Sequence, residues 1–380
     1  MMKVYLDNAA TTRLDDEVLE AMLPFMREIY GNPSSIHSHG REARAAVEKA
    51  RRVFASRLNV SPAEIFFTSG GTEADNMAIV SCIHTYGLKH AVTSRVEHHA
   101  VLHTLQHMEK MGHIRLSYVD LDEHGAVLPE RLEELLRNNP RSLVSLMHAN
   151  NEIGNITDIE TVGSICKAHD SFFHSDTVQT IAHLEIDPRK AGAMYINGSA
   201  HKFHGPKGAG FIYISGEAPL KPFIQGGAQE RDMRGGTENV AAIVGMAKAF
   251  ELAYDRIKSD REHIENLKQL LIHGLKTRIN GVEFNGLSAD PHQSLYTILS
   301  ASLPESDDNE MLLFNLDIQG VSVSGGSACT SGSVIGSHVL QALGVNQARG
   351  HIRFSFSRYN TEDEIDFVIE RLVEFVDKSS

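Results

Sequence analysis

The chain has 380 residues, 42% of them hydrophobic and 22% charged, an ordinary globular composition that excludes a disordered or fibrous protein. Acidic residues outnumber basic ones to give a formal net charge of −13, which argues against a nucleic-acid or anionic-membrane binder. Three cysteines are too few for a disulfide scaffold and leave one unpaired, so a reducing compartment is expected.

The N-terminus, Met1-Met2-Lys3-Val4-Tyr5-Leu6-Asp7, lacks the apolar stretch of a signal peptide and the Arg/Ser-rich helix of a transit peptide. No apolar run approaches the roughly 18 residues of a membrane span. The expectation is a cytoplasmic protein with no membrane and no nucleic-acid partner. Helical spacing first appears over 41–58. Strand patterns at 64–68 and 90–94 then alternate with helical ones at 73–86 and 99–111. Four further apolar strands are predicted at 142–147, 171–175, 194–197 and 210–214. Apolar strands separated by helices imply an α/β fold with a mostly parallel sheet covered on both faces. The pattern from 238 to 279 is almost wholly helical. Beyond it come shorter strands, a Gly/Ser-rich loop at 324–336, a strand at 351–355 and an amphipathic helix at 362–377. The expected division is a large domain over 15–258 and a smaller α+β domain built from 1–14 and 259–380.

Four segments carry chemistry. In Phe67-Thr68-Ser69-Gly70-Gly71-Thr72-Glu73 an apolar strand enters a small Gly-rich turn and a helix follows. Backbone N–H groups at a helix start, with hydroxyls beside them, can cradle a phosphate. A plain strand-to-helix turn with Thr72 as N-cap is the structural alternative. In the 197–208 segment, Lys202 sits among small and aromatic residues just past an apolar strand. A lysine in partly apolar surroundings has a depressed pKa and can form a Schiff base, whereas an ordinary loop lysine would not. Asp176 lies at the C-terminal end of a buried-looking strand, where ligands bind in open α/β sheets. It would need a cationic partner there, or it would simply cap the next helix. Cys329 lies in a Gly/Ser-rich loop that buries it poorly, which suits a nucleophile. Cys82 and Cys166, in apolar helical patterns, look like core residues. His99, His103 and His107 share a helix face, but no carboxylate completes a metal set. They are read as a solvated polar face, and no metal site is expected.

These segments resemble, in order, the cysteine desulfurases of the NifS/IscS-like group. That group belongs to the class V aminotransferases, with fold type I of the pyridoxal-phosphate enzymes. Further matching pieces are Tyr5-Leu6-Asp7-Asn8-Ala9-Ala10-Thr11-Thr12, Gly31-Asn32-Pro33-Ser34-Ser35 and Glu97-His98. Others are Asn150-Asn151-Glu152-Ile153-Gly154, Arg234-Gly235-Gly236-Thr237 and Ile352-Arg353-Phe354-Ser355. The resemblance implies a large cofactor domain and a smaller α+β domain carrying the cysteine loop. It implies that Lys202 forms a Schiff base with pyridoxal phosphate and that Asp176 pairs with the pyridinium nitrogen. Gln179 would bond the phenolic oxygen, and His98 would stack on the ring and shuttle protons. Gly71, Thr72, Ser199 and His201 would form the phosphate cup, completed by Thr237 from a partner subunit of a homodimer. Asn151 and Arg353 would hold the substrate carboxylate, and Cys329 would accept sulfur from L-cysteine as a persulfide, leaving L-alanine. The implied recipient is a sulfur-acceptor protein serving iron–sulfur cluster or other thio-cofactor assembly. The chain ends directly after its last helix, without the tail by which longer members contact the iron–sulfur scaffold. Thr177 stands where the family often has Ala. Selenocysteine lyase and aminotransferase activity on the same scaffold are the alternatives.

Overall fold

A computed structural model describes residues 2–139, 141–325 and 336–379. A short strand β1 (Val4–Tyr5) is followed by helices α1 (Asp16–Arg27) and α2 (Ser38–Arg57). Strands and helices then alternate: β2 (Ile65–Thr68), α3 (Gly71–Tyr86), β3 (His90–Thr93), α4 (His99–Lys110), β4 (Arg115–Tyr118) and α5 (Pro129–Asn138). The series continues with β5 (Leu143–Ser145), α6 (Ile159–Ala168), β6 (Phe172–Ser175), β7 (Tyr195–Ser199) and β8 (Gly210–Ile214). They form a seven-stranded sheet in the order β2-β8-β7-β6-β5-β3-β4, in which β8 alone runs antiparallel to its neighbours. Strands β2, β3, β5, β7 and β8 are buried along their whole length. Their continuous apolar character follows from having helices on both faces.

Helix α7 (Val240–Arg278) spans 39 residues. Its first half, to Ala253, packs with α1, α2 and the sheet around Phe54, Phe211 and Phe250. Its second half, from Ile264, packs against a separate core that includes Leu299, Phe354 and Leu372. That core is built on β9 (Glu283–Phe284), β10 (Ile298–Glu305), α8 (Leu312–Ile318), β11 (Val321–Ser322), β12 (Arg349–Ser355) and α10 (Glu362–Ser379), while α9 (His338–Ala342) packs Val339 and Leu340 against Val96 and Ile153. β10 lies between β12 and β9 in an antiparallel sheet, and β1 pairs with β11, so the N-terminal strand joins the C-terminal core.

The α/β expectation holds, with most element ends within a few residues. The sequence reading did not single out α1, β4, α5 or α6 as elements. The expected polar face of α4 is only partly solvated. His103 and His107 are exposed, but His99 is half-buried between His103 and His338, at ring separations of 4.4 and 4.5 Å. Among the described residues no cluster of His, Cys, Asp or Glu is placed to hold a metal. No described helix is long and apolar enough to cross a membrane. Cys82 and Cys166 are buried, as expected of core residues.

Candidate active site

The antiparallel pairings of β2 and β7 with β8 leave β2 and β7 parallel to each other. The chain therefore leaves β2, β3, β5, β6 and β7 at one edge of the sheet, where α/β folds bind ligands. Gly71 and Thr72 follow β2, His98 follows β3, and Asn151 follows β5. Asp176 and Gln179 follow β6, Ser199 ends β7, and His201 and Lys202 come next. Ala9, Ala10 and Arg353 come from the second core, and all these residues line one cavity of about 250 Å³.

One end of the cavity is a set of donors. Gly70 is the N-cap of α3 and supplies no side-chain cap, so Thr72 does not cap the helix and is its second residue instead. The first N–H groups of α3 and the helix dipole face the cavity, an arrangement that attracts an anion. Ser199 and His201 stand beside them. His201 Nδ1 lies 3.2 Å from Thr11 Oγ1, and burial, aided by Lys202, brings its pKa down to about 4.

The other end is acidic. Asp176 is buried and does not cap a helix: its Oδ1 accepts the Val178 N–H at 2.9 Å in a tight turn. His98 Nδ1 accepts the Ala100 N–H at 3.2 Å and so caps α4, which leaves the ring proton on Nε2. Burial lowers the His98 pKa against the opposing pull of Asp176, keeping the imidazole neutral. Lys202 Nζ donates to Ala9 O and to Ala10 O, the latter at 2.9 Å. Gln179 Nε2 also donates to Ala9 O, at 3.1 Å. The backbone of the N-terminal segment therefore fixes both side chains.

Arg353 is 2% exposed and crosses between the two cores. Its Nη2 pairs with Asp7 Oδ1 at 2.8 Å and its Nη1 donates to Asn151 O at 2.9 Å. Its buried Nε has no hydrogen-bond partner among the described residues. A buried guanidinium with a spare donor on a cavity wall suits a carboxylate ligand.

The class-V aminotransferase family profile matches residues 4–368 of this chain. The chain belongs to that family. Over 380 residues it is 43% identical to the cysteine desulfurase IscS of Dictyoglomus turgidum, covering 98% of this chain and 95% of that protein. It is 42% identical to the cysteine desulfurase IscS of Methanosarcina thermophila, covering 99% and 92% of the two chains. Among solved structures, a NifS-like protein superposes with a TM-score of 0.91 at 40% identity, covering 99% of this chain and all of that one. SspA in complex with cysteine superposes with a TM-score of 0.81 at 31% identity over 95% of this chain. Within the class-V family, this chain falls among the cysteine desulfurases.

One expected member of this class-V site lies elsewhere, and another is not described. Thr237 is exposed and does not line the cavity of its own chain. Cys329 lies outside the described residues. Conversely, sequence reasoning missed the roles of three acids around the cavity, of which Asp75 and Glu97 are buried and Asp7 partly so. Asp75, one face of α3, accepts from Asn197 Nδ2 at 2.6 Å and lies 3.4 Å from His174 Nε2. Burial, reinforced by Asp176 and Glu97, raises its pKa well above the carboxylate range, while burial drops His174 to about 3. Glu97 Oε1 accepts from Met147 N and Ser94 Oγ, and burial pushes its pKa up to about 8. Asp7 holds Arg353 and accepts from Ser324 Oγ. An acid at the apolar spacing of α3, beside Ala74 and Ala78, is the signal that marked Asp75. Thr177 is fully buried, and its N–H and hydroxyl bond to Asn197, tying the Asp176 turn to β7.

Proposed function

We propose that the protein is a pyridoxal-phosphate-dependent cysteine desulfurase that converts L-cysteine to L-alanine and passes the sulfur on through Cys329. The observation that carries this reading is a single cavity joining an uncapped helix start, a lysine, a buried aspartate and a buried arginine. The cofactor fits that donor set. The α3 N-terminus, Ser199 and His201 suit its phosphate, Lys202 suits its aldehyde, and Asp176 suits its ring nitrogen. The relative solved in complex with cysteine shares this fold and supports the substrate.

When bound, pyridoxal phosphate supplies an aldehyde for amines and a ring that withdraws electrons from the substrate Cα. The protein's residues do the rest. Asp176 would face the ring nitrogen, where its carboxylate would compensate the charge of a proton held there. Arg353 and Asn151 orient the substrate carboxylate, and Asp7 stops the guanidinium from rotating away. Lys202 Nζ accepts the Cα proton and returns it. Neutral His98 offers its Nε2 proton to the departing side of the substrate. As the chain's resemblance to its relatives implies, the Cys329 thiolate attacks the substrate sulfur, the S–S bond of a persulfide forms as the substrate Cβ–S bond breaks, and the electron pair stays on the carbon fragment that is protonated to alanine. Thr237, exposed on its own chain, is assigned to the phosphate end of a second copy's cavity, making the working unit a homodimer in the cytoplasm.

The test is product analysis with L-cysteine, dithiothreitol and the reconstituted protein. Alanine and sulfide in equal amounts are expected. Amino transfer to a keto acid without sulfide, or selenide release from selenocysteine with none of either product from cysteine, would overturn the reading.

A further inference from the structure

Asp75 on α3 and His174 on β6 are 1% and 0% exposed, and the reaction steps above use neither. Asp75 Oδ1 lies 3.4 Å from His174 Nε2, a nitrogen that makes no hydrogen bond among the described residues. The other ring nitrogen, Nδ1, stands 2.8 Å from Ser145 Oγ. Asp75 also lines the cavity that Asp176 lines. A bare carboxylate on Asp75 would be a buried charge near a second one, and their repulsion would add to the cost of dehydration. Burial, together with Asp176 and Glu97, accordingly holds the Asp75 carboxyl well above its ordinary range. A chain of contacts leads from Asp75 to Asp176. Asn197 Nδ2 donates to Asp75 Oδ1 at 2.6 Å, which turns the amide oxygen toward the Thr177 N–H, 2.9 Å away. The Thr177 hydroxyl donates to Asn197 O. Asp176 begins that turn and accepts the Val178 N–H across it.

We propose that Asp75 and His174 form a pair with no net charge, and that Asp75 is a positioning residue that aims the Asp176 carboxylate at the cofactor ring through Asn197 and Thr177. The proposal rests on the pyridoxal-phosphate reading above. One proton held between Asp75 and His174 Nε2 satisfies two buried groups at once. A neutral pair leaves Asp176 without a rival acid for the ring nitrogen. It also leaves Asn197 one orientation, because an amide turned over would set its NH2 against the Thr177 N–H.

The test compares wild type, D75N and D75A. Asp75→Asn keeps the shape of a protonated acid, with an oxygen for Asn197 and an NH2 for His174 Nε2, whereas Asp75→Ala removes both contacts. Proton release on unfolding the apoproteins in urea near pH 7 is read with an indicator dye. Wild type should release about one proton per chain more than D75N, because the unfolded carboxyl ionises. Cofactor affinity is read by equilibrium dialysis, and the yellow absorbance of the bound cofactor is titrated against pH. D75N should keep the affinity within about twofold and the absorbance midpoint within about 0.3 pH unit. D75A should bind about tenfold more weakly and move the midpoint by about one unit, which a loss of stability alone would not do. Equal proton release from wild type and D75N, or a D75N midpoint moved by about one unit, would show a charged Asp75 and overturn the proposal. Wild-type affinity and midpoint in D75A would overturn it too, by separating Asp75 from the aim of Asp176. If D75A does not fold, Thr177→Val, which deletes only the hydroxyl bond to Asn197, takes its place, with about a threefold loss of affinity expected and an unchanged affinity overturning the link. A wild type that binds no pyridoxal phosphate would count against the cofactor reading alone, because the proton count is taken without it.

Discussion

Replacing Arg51 with Met removes one half of an ion pair that water does not reach. The Arg51 and Glu230 side chains are 2% and 3% exposed. Their two parallel contacts, Nη1–Oε2 and Nη2–Oε1, measure 2.8 and 2.9 Å. Glu230 Oε2 also accepts the Phe67 N–H at 2.8 Å, and Arg51 Nη1 donates to Ile65 O at 2.6 Å. Glu230 begins a run of three left-handed residues, with φ of 45°, 56° and 65° at Glu230, Arg231 and Asp232. Such conformations cost non-glycine residues about 1–2 kcal/mol each, so this turn persists because the ion pair holds it. Removing Arg51 strands the Glu230 carboxylate in the core, a loss of about 3–5 kcal/mol. For a chain of this length that lowers Tm by about 4–6 °C. The damage should spread to the site. Arg234, just beyond the turn, clamps Glu73 in the first turn of α3 through contacts of 2.9 and 3.2 Å. Scanning calorimetry of R51M, E230Q and the double variant checks the reasoning. The double variant should recover most of the loss, because neither partner is left charged and alone. A Tm within about 1 °C of wild type for R51M, or strictly additive losses in the double variant, would refute it.

Three further outcomes are expected. Lys202→Ala should bind cofactor without a borohydride-stable adduct and lose turnover, and an adduct on any other lysine would contradict the assignment. Glu97 has its pKa raised from 4.5 to about 8 by burial, so the unfolded chain releases a proton that the folded one keeps. Stability is then full below pH 4.5 and falls as pH rises toward 8, by up to about 1.4 kcal/mol per unit. Glu97→Gln should remove that slope in urea titrations between pH 5 and 8, and parallel profiles would exclude it. Gly71→Ala places a Cβ 2.6 Å from Val178 Cγ2. Because the valine is stiff at χ1, the start of α3 must shift, and cofactor affinity should fall about tenfold in equilibrium dialysis.

The sheet was legible because its strands are short apolar runs between helical repeats, and β8 matches its expected limits of 210–214. Helix α6 was not singled out, because its buried side is made of Ile159, Val162, Gly163 and Cys166 on only three turns. Strand β4 lies at the sheet edge with an exposed Arg115, which dilutes its pattern. Most of the expected residues that line the cavity were readable because they stand at or just past a strand end in a distinctive short motif, Arg353 inside β12 being the exception. Glu97 was not, since nothing local separates it from a solvated acid, and Asp75 was marked only by its place among the apolar positions of α3. Tertiary packing encloses them: β6 and β7 beside α3 for Asp75, and the chain just past β5 beside the 94–97 turn for Glu97. The N-terminal carbonyls that hold Lys202 are equally invisible, because they come from 192 and 193 residues away.

The most direct measurement is mass mapping of the protein after one round with L-cysteine and no reductant. Trapped by alkylation, the peptide bearing Cys329 should gain the mass of one sulfur atom, with one alanine released per modified chain. Cys329→Ala should retain the yellow cofactor spectrum and show neither product. Added sulfur on Cys82 or Cys166, or full alanine release from Cys329→Ala, would contradict a desulfurase that works through Cys329.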